Sequence, residues 1–100
     1  MALYLIYSID RPGAEAVRKA TLEPHVAYLK SRGEIVLAGA KLSDDGETPG
    51  GSCFIVNVAD RAAAQAFSDG DPFSQAGLFD STTITRVRKG IWNPDVAEGG

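Results

Sequence analysis

The chain opens with the run Leu3-Tyr4-Leu5-Ile6-Tyr7-Ser8-Ile9, which is apolar or aromatic at all positions but one. Its short length and its aromatic and branched side chains favour a strand over a helix. The turn residues Asp10-Arg11-Pro12-Gly13 follow it directly. A strand that is apolar on both faces needs cover on both sides of its sheet.

The next segment predicts helix. Residues 14–32 are rich in Ala, Glu, Lys and Arg, which are good helix formers. Pro24 is expected to divide the segment into a short first helix or turn and a main helix. Thr21 is a suitable N-cap for the main helix, which would place Pro24 in the first turn, and Gly33 is a suitable stop.

Further strands are predicted over residues 34–42, 52–59 and 81–88, and turn residues over 43–51 predict a long hairpin loop. An Ala-rich helix over 61–69 has Asp60 as its N-cap and ends at Gly70. The pair Asp71-Pro72 predicts the N-cap and first residue of a short helix that runs through Gln75.

The order β-α-β-β-α-β predicts an α+β protein with a ferredoxin-like fold and an antiparallel four-stranded sheet. We assign residues 1–90 to a single domain and 91–100 to a C-terminal tail that becomes disordered from Ala97 onward. Two helices cover one face of such a sheet. The other face is left uncovered although it is apolar. We therefore predict a homodimer in which two sheets pack face to face. The alternative is a monomer whose tail, with Trp92, folds across that face.

Composition narrows the possible partners. The net charge of −3 argues against binding to a phosphate backbone, so no nucleic acid partner is expected. No run of apolar residues suffices for a membrane span or a signal peptide, which predicts a cytoplasmic protein with no membrane partner. Cys53 is the single cysteine; it excludes an intrachain disulfide and is predicted to be buried. No recognisable ligand spacing is present, so no metal and no cofactor are expected.

His25, the single histidine, is the first candidate for chemistry. On a helical projection it lies at the edge of the apolar stripe that contains Leu22, Val26 and Leu29, where it can face a pocket as a general acid or base. The alternative is a histidine that packs at the rim or caps a carbonyl. Asp71 is either the carboxylate that orients His25 or simply a helix N-cap.

Four more residues are candidates for substrate binding. Gly51 and Ser52 lead into the third strand and can hold an anionic oxygen with a backbone N–H and a hydroxyl; a plain hairpin turn is the alternative. Gly39, inside the second strand, marks either a β-bulge or a close ligand approach. Phe73 is either a core residue or part of the pocket wall.

Taken in order, several motifs resemble the YCII-related (YciI-like) family from about Leu3 to Lys89. The motifs are Leu3-Tyr4-Leu5-Ile6-Tyr7, Pro24-His25-Val26-Ala27-Tyr28-Leu29, Gly33-x5-Gly39, Gly50-Gly51-Ser52, Ala63–Phe67, Asp71-Pro72-Phe73 and Gly77-Leu78. Ala40 stands where a proline is common in that family.

The resemblance implies a dimeric α/β barrel with His25 and Asp71 as its catalytic pair and Ser52 beside them. It also implies a small cofactor-independent lyase or isomerase, similar to dehydrochlorinases or muconolactone isomerases, that acts on a small cyclic or aromatic compound. Two alternatives stay open: a non-catalytic ligand-binding or structural dimer, and a cofactorless monooxygenase.

Overall fold

The computed structural model describes residues 1–97, in which four antiparallel strands form one sheet with helices on one face. The elements are β1 (Ala2–Asp10), α1 (Glu15–Lys30), β2 (Ile35–Leu42), β3 (Pro49–Val58), α2 (Arg61–Gly70), α3 (Pro72–Gln75), β4 (Phe79–Val87) and α4 (Pro94–Ala97). The strand order is β2-β3-β1-β4, and every neighbouring pair is antiparallel. The predicted ferredoxin-like fold is confirmed.

The core lies between the sheet and its helices. Along β1, burial alternates strictly up to Ser8, with even-numbered residues buried and odd-numbered ones partly exposed. Ile6 pairs with Phe54 on one side and Ile84 on the other, so the three side chains form a row beneath α1 and α2. The opposite face, with Leu3 and Leu5, is not the face on which α1 and α2 pack. We call it the open face.

Helix α1 corrects one prediction. It runs without a break from Glu15 to Lys30, so Thr21 is not an N-cap and Pro24 lies in the helix interior. Pro24 is exposed, so water can satisfy the Ala20 carbonyl that a proline leaves without its helical partner. Packing of the buried face outweighs the cost of the proline. Gly33 is not the stop either, since the helix ends at Lys30 and Ser31 caps it in a right-handed conformation.

Strand β3 corrects the predicted position of the hairpin loop. It begins at Pro49, so the hairpin loop covers residues 43–48, and Gly50 and Gly51 lie inside the strand. At Gly51 the backbone passes the Ser8 carbonyl so closely that a Cβ would lie 2.1 Å from its oxygen. A glycine is therefore required there by contact with β1 and not by a turn. Cys53 is partly exposed on the open face, not buried as predicted.

The C-terminal tail contains a short helix, α4, which includes Ala97; the rest of the predicted disorder falls on Glu98, Gly99 and Gly100, which lie outside the described residues. Trp92 is 51% exposed. Within residues 1–97, no helix has the length and apolar character needed to cross a lipid bilayer.

Candidate active site

His25 and Asp71 meet in the structure although 46 positions separate them along the chain. His25 Nδ1 lies 2.6 Å from Asp71 Oδ1, and the two residues are 7% and 1% exposed. α1 carries the histidine and the start of α3 carries the aspartate, and these two helices pack against each other. The geometry brings together the two residues that the sequence predicted as a pair.

Asp71 is also the N-cap of α3, so both interpretations of this residue hold at once. Its Oδ1 accepts a hydrogen bond from the Phe73 backbone N–H at 3.0 Å as well as the bond from His25. Because a carboxylate oxygen only accepts, the proton in the contact with His25 lies on Nδ1. The neutral imidazole then has its lone pair on Nε2, which is the form of a general base.

Phe73 holds the histidine ring in place. The two rings stack with centroids 3.7 Å apart and an angle of 11° between their planes. Phe73 is fully buried and does not line the cavity next to His25, so the structure places it behind the ring and not in the pocket wall. With one face on Phe73 and Nδ1 on Asp71, the imidazole is fixed in orientation.

The remaining side of His25 faces an inner cavity of about 180 Å³. Its wall includes Ser52, Gly39, Val26 and Leu29. Nε2 makes no hydrogen bond within residues 1–97. Unlike Asp71 Oδ2, it is not fully buried, so a small molecule can reach it. Nε2 is therefore the nitrogen available to a molecule in the cavity.

The other predicted binding residues take different positions. Ser52 is buried, lines the inner cavity, and its hydroxyl makes no hydrogen bond within the described part of the chain. Gly39 lines the same cavity, and a Cβ there would meet nothing within 4 Å. Gly51 does not line it; its carbonyl instead accepts a hydrogen bond from Arg18 at 2.9 Å.

Arg18 is a residue that the sequence interpretation missed. Its Nε and Nη2 bind the two carboxylate oxygens of Asp10 at 2.7 and 3.0 Å, and its guanidinium lies 4.7 Å from the Phe73 ring centroid. It is seven residues before His25, and the spacing i, i+7 puts both on one helix face. The sequence interpretation missed this spacing because the main helix was predicted to begin only at Thr21.

Arg18 lies where the inner cavity meets a second, larger one. This outer cavity of about 710 Å³ is lined by Arg18, Leu22 and Ala40, which also line the inner cavity, and by residues that include Pro12, Leu42 and Pro49. Arg18 Nη1 makes no hydrogen bond within residues 1–97. The arrangement provides a fixed cation with a free donor between an apolar vestibule and the histidine.

Tyr28 supports the site from the other side of α1. Its hydroxyl donates to the Phe67 carbonyl at 2.8 Å and so joins α1 to α2. Burial raises the pKa of Tyr28; the Arg32 charge opposes this shift, and the charges of Glu34 and Asp71 add to it. The phenol is therefore a stable donor across neutral pH.

Metal binding has no visible basis in the described part of the chain. Across residues 1–97, no three His, Cys, Asp or Glu side chains come together in a group that could hold an ion. The expectation that the protein needs no metal stays a prediction.

The fold and the paired histidine and aspartate define the class: an α+β protein of ferredoxin-like topology with a candidate acid–base site between helices and sheet. The YCII-related domain matches residues 2–88. The protein YciI of Escherichia coli is 30% identical over 95 residues, which cover 87% of this chain and 97% of YciI. The chain therefore belongs to the YCII-related family.

Solved structures agree with this assignment. The chain is similar to the 5-chloro-2-hydroxyhydroquinone dehydrochlorinase TftG from Burkholderia phenoliruptrix, solved in complex with 2,5-dihydroxybenzoquinone. The match has a TM-score of 0.81 and 34% identity, and it covers 88% of this chain and 95% of TftG. An antibiotic biosynthesis monooxygenase shares the fold with a TM-score of 0.55 and 15% identity over 88% of this chain and 97% of its own. These neighbours have the fold of the dimeric α/β-barrel superfamily.

Proposed function

We propose that the protein is a small lyase or isomerase that moves a proton on a hydroxylated cyclic or aromatic compound, with His25 as its general base. The observation that carries the proposal is the 2.6 Å contact of His25 Nδ1 with buried Asp71, which leaves Nε2 as the nitrogen available to the inner cavity. A histidine oriented in this way is suited to take a proton from a ring hydroxyl.

The other residues have supporting roles. Asp71 keeps the imidazole in the Nδ1–H form and stabilises the imidazolium after proton transfer. In this proposal the Ser52 hydroxyl and the Arg18 guanidinium, which both line the inner cavity, stabilise the oxyanion that forms on the ring. Leu22, Val26 and Leu29 supply an apolar wall for a flat ring.

The similarity to TftG supports dehydrochlorination as the particular reaction. The proton taken from one ring hydroxyl would return to the carbon that bears chlorine. Loss of the proton from a second hydroxyl would then expel chloride with the electron pair of the C–Cl bond and leave a quinone. The net change is loss of HCl, so the electrons balance without an oxidant or reductant.

The test is an assay of chloride release and quinone absorbance on chlorinated hydroxyhydroquinones, with and without dissolved oxygen. We expect turnover independent of oxygen, and a fall in kcat of about 10²–10⁴ in His25→Gln. Glu23→Gln, on the exposed side of α1, is the matched control and should keep the rate.

Other outcomes identify the competing functions. Turnover that stops without oxygen would favour a cofactorless monooxygenase. Binding of ring compounds without turnover would favour a non-catalytic binding module. Equal rates in His25→Gln and the unmodified protein would overturn the role given to His25.

A further inference from the structure

Three of the ten large exposed apolar residues of the described chain lie in the short segment that begins where the family domain ends. The domain match ends at residue 88. We call residues 88–97 the C-terminal arm. It carries Ile91, which is 86% exposed, Trp92, which is half exposed, and Val96, which is also exposed. Large apolar side chains grouped on a surface mark an interaction site.

The outer cavity is a second apolar surface that is open to solvent. Leu22 and Leu42 line it and are about half exposed, and Pro12 and Pro49 complete its apolar wall. Its volume of about 710 Å³ is far larger than the inner cavity beside His25. A flat indole side chain suits a cleft of this size and character.

Trp92 does not line the outer cavity of its own chain, and the arm leaves the sheet at the opposite end of β1. β4 ends at Val87, which pairs next to Leu3, whereas the outer cavity begins at Asp10 at the other end of β1. From residue 3 to residue 10 the strand rises by about 23 Å, at about 3.3 Å per residue. The five residues from Val87 to Trp92 span at most about 18 Å, so the backbone of the arm, even fully extended, stops short of the cavity. A second copy of the chain offers the same cavity without this stretching of the arm.

The arm carries basic residues, and an acidic loop adjoins the outer cavity, whose own lining includes Arg11, Arg18 and Lys19 beside Asp10 and Glu15. Arg86, Arg88 and Lys89 precede the apolar part of the arm, and Asp44, Asp45 and Glu47 lie in the loop before Thr48 and Pro49, which line the outer cavity. The hydrogen bond from the Ser43 hydroxyl lowers the pKa of Asp45, which keeps that carboxylate charged. Opposite charges of this kind steer association and fix its orientation.

We infer that the C-terminal arm of one copy docks on the outer cavity of a second copy, with Trp92 in the cavity and the basic residues of the arm against the acidic loop. The docked arm closes the outer entrance to the inner cavity of the other copy. The inference does not depend on the reaction proposed above, because its evidence is surface shape and charge alone.

Trp92 is the single tryptophan, so its fluorescence reports on the arm directly. We expect the full-length protein to show short-wavelength emission and little quenching by acrylamide. Leu42→Asp, a change at a residue that is 49% exposed, should shift the emission to longer wavelength and raise the quenching constant several-fold. Val36→Asp, at a residue that is 46% exposed and outside the cavity, is the matched control and should change neither value.

A mixing experiment separates docking between copies from contact within one chain. Leu42→Asp chains are refolded together with an excess of Trp92→Phe chains, which keep an intact cavity and emit no tryptophan fluorescence. We expect the emission of Trp92 to return to short wavelength and its quenching to fall. Emission that stays at long wavelength after co-refolding, a solvent-exposed Trp92 in the unmodified protein, or an equal effect of Val36→Asp would each overturn the inference.

Discussion

Asp71 is the residue on which the site depends, and its two carboxylate oxygens differ in their hydrogen bonding. Oδ1 accepts from His25 and from the Phe73 N–H, whereas Oδ2 is buried and has no partner within residues 1–97. Burying a polar atom without a hydrogen bond costs about 1–3 kcal/mol. A helix N-cap alone does not need a buried charge, because serine or asparagine caps equally well. The arrangement is therefore explained by the interaction with His25.

Substitutions at Asp71 can separate its two roles. Asp71→Ser keeps the N-cap but is too short to reach His25, so we expect the neutral imidazole to lose its preference for the Nδ1–H tautomer. Asp71→Asn keeps an acceptor oxygen and should keep that tautomer. The ¹⁵N spectrum of the single histidine measures the tautomer directly. The same change of cap at Asp60, Asp60→Ser, is the control, and an unaltered tautomer in Asp71→Ser would reduce Asp71 to a cap.

Two glycines in neighbouring strands allow a matched comparison of how a glycine-to-alanine change affects stability. In Gly51→Ala the new Cβ would meet the Ser8 carbonyl oxygen at 2.1 Å, so β1 and β3 must move apart. We expect a loss of about 2–3 kcal/mol in the free energy of unfolding. Gly39→Ala meets nothing within 4 Å and should change stability by less than about 1 kcal/mol. Urea denaturation of both variants checks the comparison, and equal losses would contradict the close approach at Gly51.

At the scale of elements, the connection between α1 and β2 is held by an ion pair. Arg32 Nη2 lies 2.7 Å from Glu34 Oε2, and Arg32 Nε reaches both carboxylate oxygens at 3.2 Å. The hydrogen bond from Arg32 lowers the pKa of Glu34, while partial burial opposes the shift. The folded pKa is below the unfolded one, so the pair stabilises the protein above about pH 4.3.

This stabilisation is lost as the pH falls through the lower folded pKa of Glu34. We expect Glu34→Gln to reduce the free energy of unfolding at neutral pH by less than about 1 kcal/mol, because the pair is partly exposed. The difference between variant and parent should shrink in acid. Urea denaturation across the acid range measures it, with Glu23→Gln as a control that has no ion pair within residues 1–97. A difference that stays constant with pH would show that the charge is not responsible.

At the scale of the whole molecule, the open face of the sheet carries apolar side chains that α1 and α2 do not cover. Leu5 lies at its centre, between Ile55 and Thr85 on the neighbouring strands. Its partly exposed apolar side chains fit the homodimer that the sequence predicted, in which two such faces pack together. Partly exposed Cys53 lies on the same face.

Light scattering tests this arrangement. We expect a mass of two chains, each of 10.5 kDa, at micromolar concentration. Leu5→Glu should give a folded protein of one chain, because it places a charge in the centre of the interface. Lys30→Glu, on the exposed side of α1, is the control for a change of charge. A single-chain mass for the unmodified protein would show that the open face is not a dimer interface.

The order of elements, the strands apolar on both faces, the caps at Asp60 and Asp71 and the choice of His25 were all determined by the sequence alone. Those features depend on residues close together in the chain, where propensity, capping and periodicity act directly. The same local rules failed at Pro24, where packing of α1 on the sheet outweighed the cost of a proline, and at Gly50 and Gly51, where strand pairing replaced a turn.

Only the tertiary structure decided what surrounds the histidine. The stacking of Phe73, the ion pair between Arg18 and Asp10 and the position of Gly51 against Ser8 all join residues on different elements. Such contacts depend on how strands register and helices dock, which a local pattern does not encode. The sequence supplied the acid–base pair as two candidates, and the fold made them neighbours at 2.6 Å.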